Sequence, residues 1–411
     1  MSMVSFSLAN YSYYTTHFFR CKGFKRKKMK ICAIICEYNP FHNGHQYLIE
    51  EAKTRSNADA ALCLMSGNFV QRGDAAIFDK FLRAKHAVLG GADIVLELPT
   101  VFATSNAEIF ASGAISILSK IPEVTHLCFG AELPDKQSFL NAAIALKEEP
   151  QIVSDTVKRL TGEGMGYAAA LTAARKEFVD ERLLTYPNNI LGLEYTKAIV
   201  SQDANIEIMP IPRQGSGHRN ENISGEYSSA TSIREAVYQG KEKNAEPALP
   251  HFVYQCLPNA TKINLEPFKK LAILQKTPET IKKILDCTEG LEHAFLKAAT
   301  LTAPLEKTLC SSRYTAARIR RIALQNLLGI EESFIRECLS SPLYLNPLAF
   351  QRERQDLLSV LSKANIPFLC SGKSQRALSS VGMQCKRLDE YAETLYSLFS
   401  GNEIKQTTVI V

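Results

Sequence analysis

The stretch KICAIICEYNPFHNGHQY, from Lys30 to Tyr47, decides the fold of this 411-residue chain. Its six apolar residues, Ile31 to Cys36, predict a fully buried strand. A turn containing Asn and Pro follows, and a helical pattern begins soon after it. His42, Gly44 and His45 therefore lie where a strand passes into a helix.

This junction favours an anion such as phosphate, because free backbone N–H groups and the positive end of a helix dipole meet there. Gly44 has no side chain, so a phosphate can approach the backbone closely. His42 and His45 are three positions apart and can face one ligand. The alternative is an ordinary helix cap. No metal site is predicted, because no further His, Cys or Asp completes a zinc-ligand spacing.

The composition is that of an ordinary globular protein, with 45% hydrophobic and 22% charged residues. The length predicts two domains, and no apolar run approaches the ~20 residues that a bilayer span needs. Eleven cysteines, with Cys32, Cys36, Cys63 and Cys128 in or beside apolar runs, indicate reduced thiols rather than a disulfide framework. We therefore expect a cytoplasmic protein without membrane association, and we infer no protein partner.

The net charge of +6 belongs to residues 1–28, which carry six basic residues and no acid. Residues 29–411 hold 42 basic and 42 acidic residues, so a nucleic-acid surface must be local. Residues 1–28 lack a long apolar segment and do not resemble a signal peptide. We expect them to be a disordered tail or the product of a wrongly chosen start codon, with a basic arm that touches RNA as the alternative.

Apolar runs alternate with helical patterns through the first half of the chain. The predicted strands are residues 31–36, 60–65, 93–98, 125–129 and 206–211. This order predicts an α/β fold with a Rossmann-like, parallel, five-stranded sheet. Polar segments follow the strands at Glu37–His45, Ser66–Arg72 and Gly130, and ligands of such sheets bind beyond the carboxyl ends of strands. The sequence therefore predicts a nucleotide site at this edge.

A second polar segment follows the long loop Gln214–Tyr227. The sequence SSATSIR, residues 228–234, begins a helix with several hydroxyls and places Arg234 in its first turns. Taken alone it is a capped helix, and together with HNGH it indicates a second phosphate-binding arrangement. Beyond Pro250 the pattern is helical without further strands. Two runs there, Lys307–Ile330 and Lys363–Arg387, contain five basic residues each and no acid, which indicates a local basic surface or a solvated helix face.

HNGH is of the HxGH type, and SATSIR resembles the second signature of the HIGH-superfamily nucleotidyltransferases. The wider set EYNPFHNGH, MSGNFVQRGD, DIVLELP, PNNILG, SATSIR, EGLEH and SSRYTAARIRR resembles the bacterial tRNA(Met) cytidine acetate ligase family, from about Met29 to Arg321. The resemblance implies an ATP-binding domain over residues 29–240, with a helical insertion at 135–180. The helical pattern and the two basic runs of the second half predict a mostly helical domain over residues 241–411, which we expect to bind tRNA.

The resemblance further implies the reaction and its residues. Acetate and ATP form acetyl-adenylate, and the acetyl group passes to N4 of the wobble cytidine of elongator tRNA(Met), without acetyl-CoA. Mg²⁺ is expected to accompany ATP. The implied catalytic residues are His42, His45 and Arg234. The implied ATP-binding residues are Ile35, Cys36, Glu37, Tyr38, Asn39, Pro40, Phe41, His42, Asn43, Gly44, His45, Gln46, Tyr47, Leu48, Gly130, Asn188, Arg213, Ser232 and Arg234. Those assigned to tRNA are Arg313, Arg318, Arg320 and Arg321.

Within this assignment, Ser232 and Arg234 are expected to hold the β- and γ-phosphates, and Arg213 contacts either a phosphate or the acyl group. Two other functions stay open. An adenylyltransferase of a small phosphorylated metabolite would share both signatures but would need no RNA surface. A non-catalytic tRNA-binding protein would not need intact HNGH and SATSIR segments.

Overall fold

The computed structural model describes residues 28–147, 151–214, 225–288, 290–370, 376–403 and 407–411. Apart from Lys28, the expected tail 1–28 lies outside the described residues. So do most of the loop Gln214–Tyr227, Glu289 of the EGLEH motif, and Lys373 of the second basic run.

One sheet forms the centre of the described structure. Its strands are β1 (Ile31–Cys36), β2 (Ala60–Ser66), β3 (Ile94–Leu98), β4 (Val124–Ala131), β5 (Glu207–Pro212), β6 (Pro347–Phe350) and β7 (Val409–Ile410). They lie in the order β5–β4–β1–β2–β3–β6–β7. The first five are mutually parallel, β6 is antiparallel to β3, and β7 is parallel to β6.

The expected α/β fold with a parallel Rossmann-like core is confirmed, but the prediction of five strands is wrong, because the sheet formed by the described residues has seven. The two additional strands come from the segment in which no further strand was predicted. β6 has four residues, begins with Pro347 and is buried throughout, and β7 has only two residues. Neither therefore shows the apolar–polar alternation that identifies a strand. Both are defined by pairing with a distant strand rather than by their own sequence.

Helices cover both faces of the sheet and make up most of the remaining described structure. In the first half they are α1 (Asn43–Ser56), α2 (Lys80–Leu89), α3 (Thr100–Ala103), α4 (Ala107–Leu118), α5 (Lys136–Lys147), α6 (Gln151–Gly162), α7 (Tyr167–Arg175), α8 (Glu181–Thr185), α9 (Pro187–Ser201) and α10 (Ala230–Tyr238). In the second half they are α11 (His251–Tyr254), α12 (Glu266–Leu274), α13 (Pro278–Ile281), α14 (Leu291–Ala299), α15 (Leu305–Leu309), α16 (Ala316–Leu328), α17 (Glu332–Leu339), α18 (Gln355–Leu361) and α19 (Ser380–Ser400). Short 3₁₀ turns lie at Glu242–Ala248, Leu257–Asn259 and Arg352–Arg354.

Alternate residues of the strands pack on opposite faces, as the two-residue period of a strand requires. Ile35 belongs to the cluster that contains Phe110 of α4 and Leu193 of α9. Ile34 belongs to the opposite cluster, which contains Ile49 of α1 and residues of α2. The central strands are buried on both faces, which explains why their sequences are continuously apolar.

A buried ion network joins α2, β3 and α19. Lys80 Nζ lies 2.8 Å from a carboxylate oxygen of Glu97 and 2.8 Å from one of Glu393, and all three side chains are at most 6% exposed. Asp389 of α19 accepts hydrogen bonds from Thr100 N and from the Tyr344 hydroxyl. Helix α19 is therefore joined to β3 and α2 by charge as well as by apolar packing.

The cysteines of the described chain are free thiols, and Cys32, Cys63 and Cys128 are buried as expected. Cys36, at the end of β1, is partly exposed. Across the same residues, no helix combines the length and the apolar character that a membrane span requires.

Candidate functional site

A cavity of about 420 Å³ opens at the carboxyl ends of the parallel strands, within the size range of small-molecule sites. Its described lining contains fourteen of the predicted ATP-binding residues, namely Ile35, Cys36, Glu37, Tyr38, Asn39, His42, Gly44, His45, Tyr47, Leu48, Gly130, Asn188, Arg213 and Arg234. The two signature segments thus meet at one cavity, as the sequence predicted.

His42 and His45 together cap the start of α1. The backbone N–H of Gly44 donates to His42 Nδ1 at 3.1 Å, and the backbone N–H of His42 donates to His45 Nδ1 at 3.3 Å. The two rings stack with centroids 3.6 Å apart and planes 21° apart. Because each Nδ1 accepts a hydrogen bond, each neutral ring must carry its hydrogen on Nε2. The cap therefore leaves two N–H donors in rings that line the cavity.

Both imidazoles are held in the neutral form. Burial, with the positive charges of Arg213 and Arg234, lowers the pKa of His42 to about 3. Burial, with His42 and Arg213, lowers the pKa of His45 well below its ordinary value. An imidazole needs no positive charge to donate from Nε2, so both rings remain hydrogen-bond donors at neutral pH.

Gly44 lies in close contact with the cap itself. A Cβ at this position would lie 3.0 Å from Cε1 and 3.2 Å from Nδ1 of His42, which is tighter than ordinary van der Waals contact. A side chain at Gly44 would therefore push the His42 ring away from the backbone N–H that it caps. The sequence had attributed this glycine to the approach of a phosphate, and the structure adds an intramolecular reason.

Arg234 joins the second signature to the first. Its Nη1 donates to the carbonyl of Asn39 at 2.6 Å, across 195 positions of sequence. Its Nη2 donates to Thr231 Oγ1 at 3.2 Å, and Nη1 of Arg72 donates to the same oxygen at 3.2 Å. Burial and the neighbouring Arg72 lower the pKa of Arg234. Two guanidinium groups therefore share one hydroxyl at the edge of the cavity, which is an arrangement suited to a polyanion.

The opposite wall is built around Glu132, which follows β4. Its carboxylate accepts from Asn188 Nδ2 at 2.6 Å and from the backbone N–H of Asn189 at 3.2 Å, at the positive end of α9. A Cβ at Gly130 would lie 3.3 Å from Cγ of Arg213. The absence of a side chain at Gly130 therefore allows the Arg213 side chain to cross the end of β4. These contacts fix Asn188 and Arg213 where they line the cavity.

Five predicted ATP-binding residues do not line the cavity. Phe41 is fully buried and packs edge-to-face on Tyr38, with ring centroids 5.0 Å apart. Ser232 is buried and its hydroxyl donates to the carbonyl of Ser229 at 2.8 Å. The others are Pro40, whose peptide bond is cis; Asn43, which donates to the carbonyls of Glu226 and Pro247; and Gln46, which donates to Glu50.

Several lining residues were not singled out from the sequence. The polar ones are Gln71, Arg72, Gln214, Tyr227, Ser228, Ser229 and Thr231, and the apolar ones include Ala107, Phe110, Phe129, Leu191 and Tyr195. Gln71 and Arg72 belong to the quoted motif MSGNFVQRGD, and their position after a strand end was the available signal. Phe129 comes from β4. The other apolar residues come from α4 and α9, whose approach to the site depends on tertiary packing.

Three of the four arginines assigned to tRNA are engaged within the chain. Arg318 donates to the carbonyl of Asp286 at 2.6 Å. Arg320 donates to the carbonyl of Arg72 at 3.0 Å and to Glu306 at 2.7 Å. Arg321 Nη2 lies 3.9 Å from Asp286, and its side chain is 13% exposed. Arg313, just before α16, is exposed.

Comparisons with known proteins point to one group. The model of the family described as HIGH Nucleotidyl Transferase matches residues 29–409. A protein of Thermoanaerobacter sp. (strain X514) named tRNA(Met) cytidine acetate ligase is 34% identical over 385 residues, which cover 90% of this chain and 95% of the relative. A protein of the same name from Acetivibrio thermocellus is 35% identical, with 83% of this chain and 88% of the relative covered.

Solved structures agree with these sequence matches. The apo crystal structure of Thermotoga maritima TmcAL superposes with a TM-score of 0.86 and 28% identity, over 93% of this chain and 100% of that one. The structure of Thermotoga maritima TmcAL bound with alpha-thio ATP superposes with a TM-score of 0.81 and 30% identity, over 90% of this chain and 95% of that one.

Proposed function

We infer the function of this chain from the fact that it belongs to the HIGH nucleotidyl transferases and, among them, to the tRNA(Met) cytidine acetate ligase family. It is an ATP-dependent ligase that acts on tRNA(Met). We propose that it activates acetate as acetyl-adenylate and transfers the acetyl group to N4 of the wobble cytidine of elongator tRNA(Met).

One observation carries this proposal. Two neutral histidines with Nε2–H donors and three guanidinium groups, those of Arg72, Arg213 and Arg234, line one cavity at the carboxyl ends of parallel strands. Glu37 is the carboxylate in the described lining. Such a set of donors stabilises negative charge on phosphoryl oxygens and on a departing pyrophosphate, which is the charge that develops when adenylate forms.

The first step needs no protein nucleophile. A carboxylate oxygen of acetate attacks the α-phosphorus of ATP, a new P–O bond forms, and the bond to pyrophosphate breaks with its electrons leaving on pyrophosphate. We assign the Nε2–H groups of His42 and His45 to the phosphate oxygens. Arg72 and Arg234 stabilise the departing pyrophosphate. Catalysis is then positioning together with electrostatic stabilisation.

In the second step the exocyclic N4 amine of cytidine attacks the acetyl carbonyl, the bond to AMP breaks, and the nitrogen loses one proton. A wobble base lies in a single-stranded loop, where its edge is accessible to a protein. The acetate pocket must be small, since a steric wall is the simplest way to exclude longer acids.

We propose ATP contacts for the residues that line the cavity, together with the backbone of the segment 35–48. Ser232 supports the start of α10, so the hydroxyls that line the cavity there are those of Ser228, Ser229 and Thr231. Mg²⁺ keeps several waters and is commonly held by phosphate oxygens. Such an ion needs few protein ligands. The cavity accordingly has Glu37 as the carboxylate of its described lining, and no cluster of three or more metal-ligating side chains exists among the described residues.

We propose that tRNA meets the helical part of the chain near the start of α16. Arg313 is exposed there and has no acidic neighbour within the run 307–330. Arg313→Glu should weaken tRNA binding and make the slope of log affinity against log salt shallower by about 1. A filter-binding titration at several salt concentrations measures both quantities. An unchanged slope would show that Arg313 does not contact tRNA.

The decisive experiment is incubation of the full chain with ATP, acetate and tRNA(Met), followed by nucleoside analysis for N4-acetylcytidine. We expect that nucleoside only when all three substrates are present. ATP–pyrophosphate exchange that depends on acetate should appear without tRNA. Exchange driven by a phosphorylated metabolite instead of acetate would establish the adenylyltransferase alternative, and the absence of any exchange would refute a ligase.

A further inference from the structure

The loop between β2 and α2 brings Gln71 and Arg72 to the ATP cavity, while the helical C-terminal part of the chain holds the same loop from outside. The loop is a tight turn, in which Val70 N donates to Asp74 O at 3.0 Å and Gly73 N donates to Val70 O at 2.9 Å. Its tip is therefore short, and contacts made with its backbone determine where its side chains lie.

Two cations from distant helices hold this backbone. Nε of Arg320, on α16, donates to the carbonyl of Arg72 at 3.0 Å and lies 3.3 Å from Oδ2 of Asp74. Nζ of Lys269, on α12, donates to the carbonyl of Gly73 at 2.8 Å, and this lysine is 4% exposed. Two consecutive carbonyl groups of the loop thus accept hydrogen bonds from two cationic side chains, which lie 196 and 248 positions away in sequence.

The loop also lies directly against the backbone of α16. Gly73 has a φ of +80°, which favours glycine. A Cβ there would lie 2.6 Å from the carbonyl carbon of Arg320 and 2.6 Å from the amide nitrogen of Arg321. No side chain fits between the two segments, so a displacement of α16 is transmitted to the loop without a compressible layer between them.

On the inner side, the loop contributes to the charge of the cavity. Arg72 Nη1 donates to Thr231 Oγ1 at 3.2 Å, and that oxygen also accepts from Arg234. The backbone N–H of Gln71 donates to Glu37 Oε1 at 2.8 Å. The location of the Arg72 guanidinium therefore depends on a backbone that is held from the other side.

We propose that Lys269 and Arg320 are positioning residues for adenylate formation, which hold the peptide of Arg72 and Gly73 so that the Arg72 guanidinium reaches the triphosphate. The inference rests on the proposed function and deepens it, because it makes the helical part of the chain necessary for the ATP reaction as well as for tRNA. It also assigns Arg320 to the ATP site, whereas the sequence had assigned it to tRNA.

The test uses acetate-dependent ATP–pyrophosphate exchange by the full chain without tRNA. Lys269→Met and Arg320→Gln should each raise the KM for ATP about 10-fold, with the KM for acetate unchanged. Lys270→Met is the matched control, because Lys270 is adjacent in sequence and donates to the carbonyls of Leu301 and Ala303, away from the loop. A merely structural role would reduce the amount of active enzyme and leave the KM for ATP unaltered.

A double-mutant cycle decides whether the effect passes through Arg72. Lys269→Met should have no further effect on the KM for ATP in the Arg72→Ala background, since the effects of interacting residues are not additive. Additive effects, or a wild-type KM in both Lys269→Met and Arg320→Gln, would overturn the inference. If one of these variants does not fold, the other decides. Failure of the wild-type chain to catalyse any exchange would instead refute the proposed function, so the two failures are distinguishable.

Discussion

Replacement of His45 can separate its two tasks, because each ring nitrogen performs one of them. Nδ1 accepts the cap hydrogen bond from His42 N at 3.3 Å, and Nε2 carries the hydrogen proposed to reach a phosphate oxygen. Asn retains an acceptor near the Nδ1 position but does not reach the Nε2 position. Gln reaches the Nε2 position with an amide donor but has no acceptor near Nδ1. The pair His45→Asn and His45→Gln therefore removes one function at a time.

The expected magnitudes differ between the two tasks. Removing one donor to oxygens that gain charge in a transition state costs about 10²- to 10³-fold in rate. Loss of a helix cap costs about 0.5–2 kcal/mol, and the cap distance of 3.3 Å places this one near the lower end. His45→Asn should thus lower acetate-dependent exchange about 10²- to 10³-fold with little loss of stability. His45→Gln should retain more of the exchange activity and unfold at lower urea concentration.

The assay is ATP–pyrophosphate exchange without tRNA, with urea unfolding of the same preparations. His251→Asn serves as the control, since His251 is exposed on α11 and does not line the cavity. An exchange rate for His45→Asn within about threefold of wild type would refute the donor role. In that case His45 would be a structural cap alone.

Three further outcomes follow from the same geometry. Without ATP, His42 should lower the free energy of unfolding by about 2 kcal/mol between pH 7 and pH 5, because the unfolded chain binds a proton near pH 6.5 whereas the native ring, with its pKa of about 3, does not. Urea unfolding at both pH values measures this loss, which should be smaller in His42→Asn. Gly44→Ala should lower the exchange rate about 10-fold by displacing the His42 ring, even though alanine stabilises a helix by about 0.5–1 kcal/mol relative to glycine. A wild-type exchange rate would show that the close contact between residue 44 and His42 does not position the ring. Lys80→Met should lower the free energy of unfolding by about 3–5 kcal/mol, because it leaves buried carboxylates unpaired. In urea titrations, adding Glu97→Gln and Glu393→Gln to this variant should restore much of the lost stability.

The sequence identified the first five strands because each is a short apolar run between turn signals, and burial on both faces makes such runs conspicuous. It also placed His42, Gly44, His45 and Arg234 at one site, because the carboxyl ends of parallel strands converge. Those inferences needed only local pattern and one rule of topology.

What escaped prediction depends on contacts between distant residues. Arg72 shares Thr231 with Arg234 across 159 positions of sequence, and no local pattern encodes that distance. Similarly, the hydroxyls of Ser229 and Ser232 are three positions apart, and only the start of α10 decides that Ser229 lines the cavity while Ser232 turns inward. The basic run 307–330 looked like an open surface because its acidic partners, Asp286 and Glu306, lie outside it.

The pairing of β3 with β6 has a consequence for biosynthesis. β6 begins at Pro347, and the strand that it covers ends at Leu98. With translation at roughly 5–20 residues per second, the backbone groups of β3 that pair with β6 remain unpaired for about 12–50 seconds, until β6 is synthesised. During that interval its backbone can pair with another nascent chain. Mutations that weaken β6 should therefore reduce soluble yield in rapidly growing cells before they affect the turnover of purified enzyme.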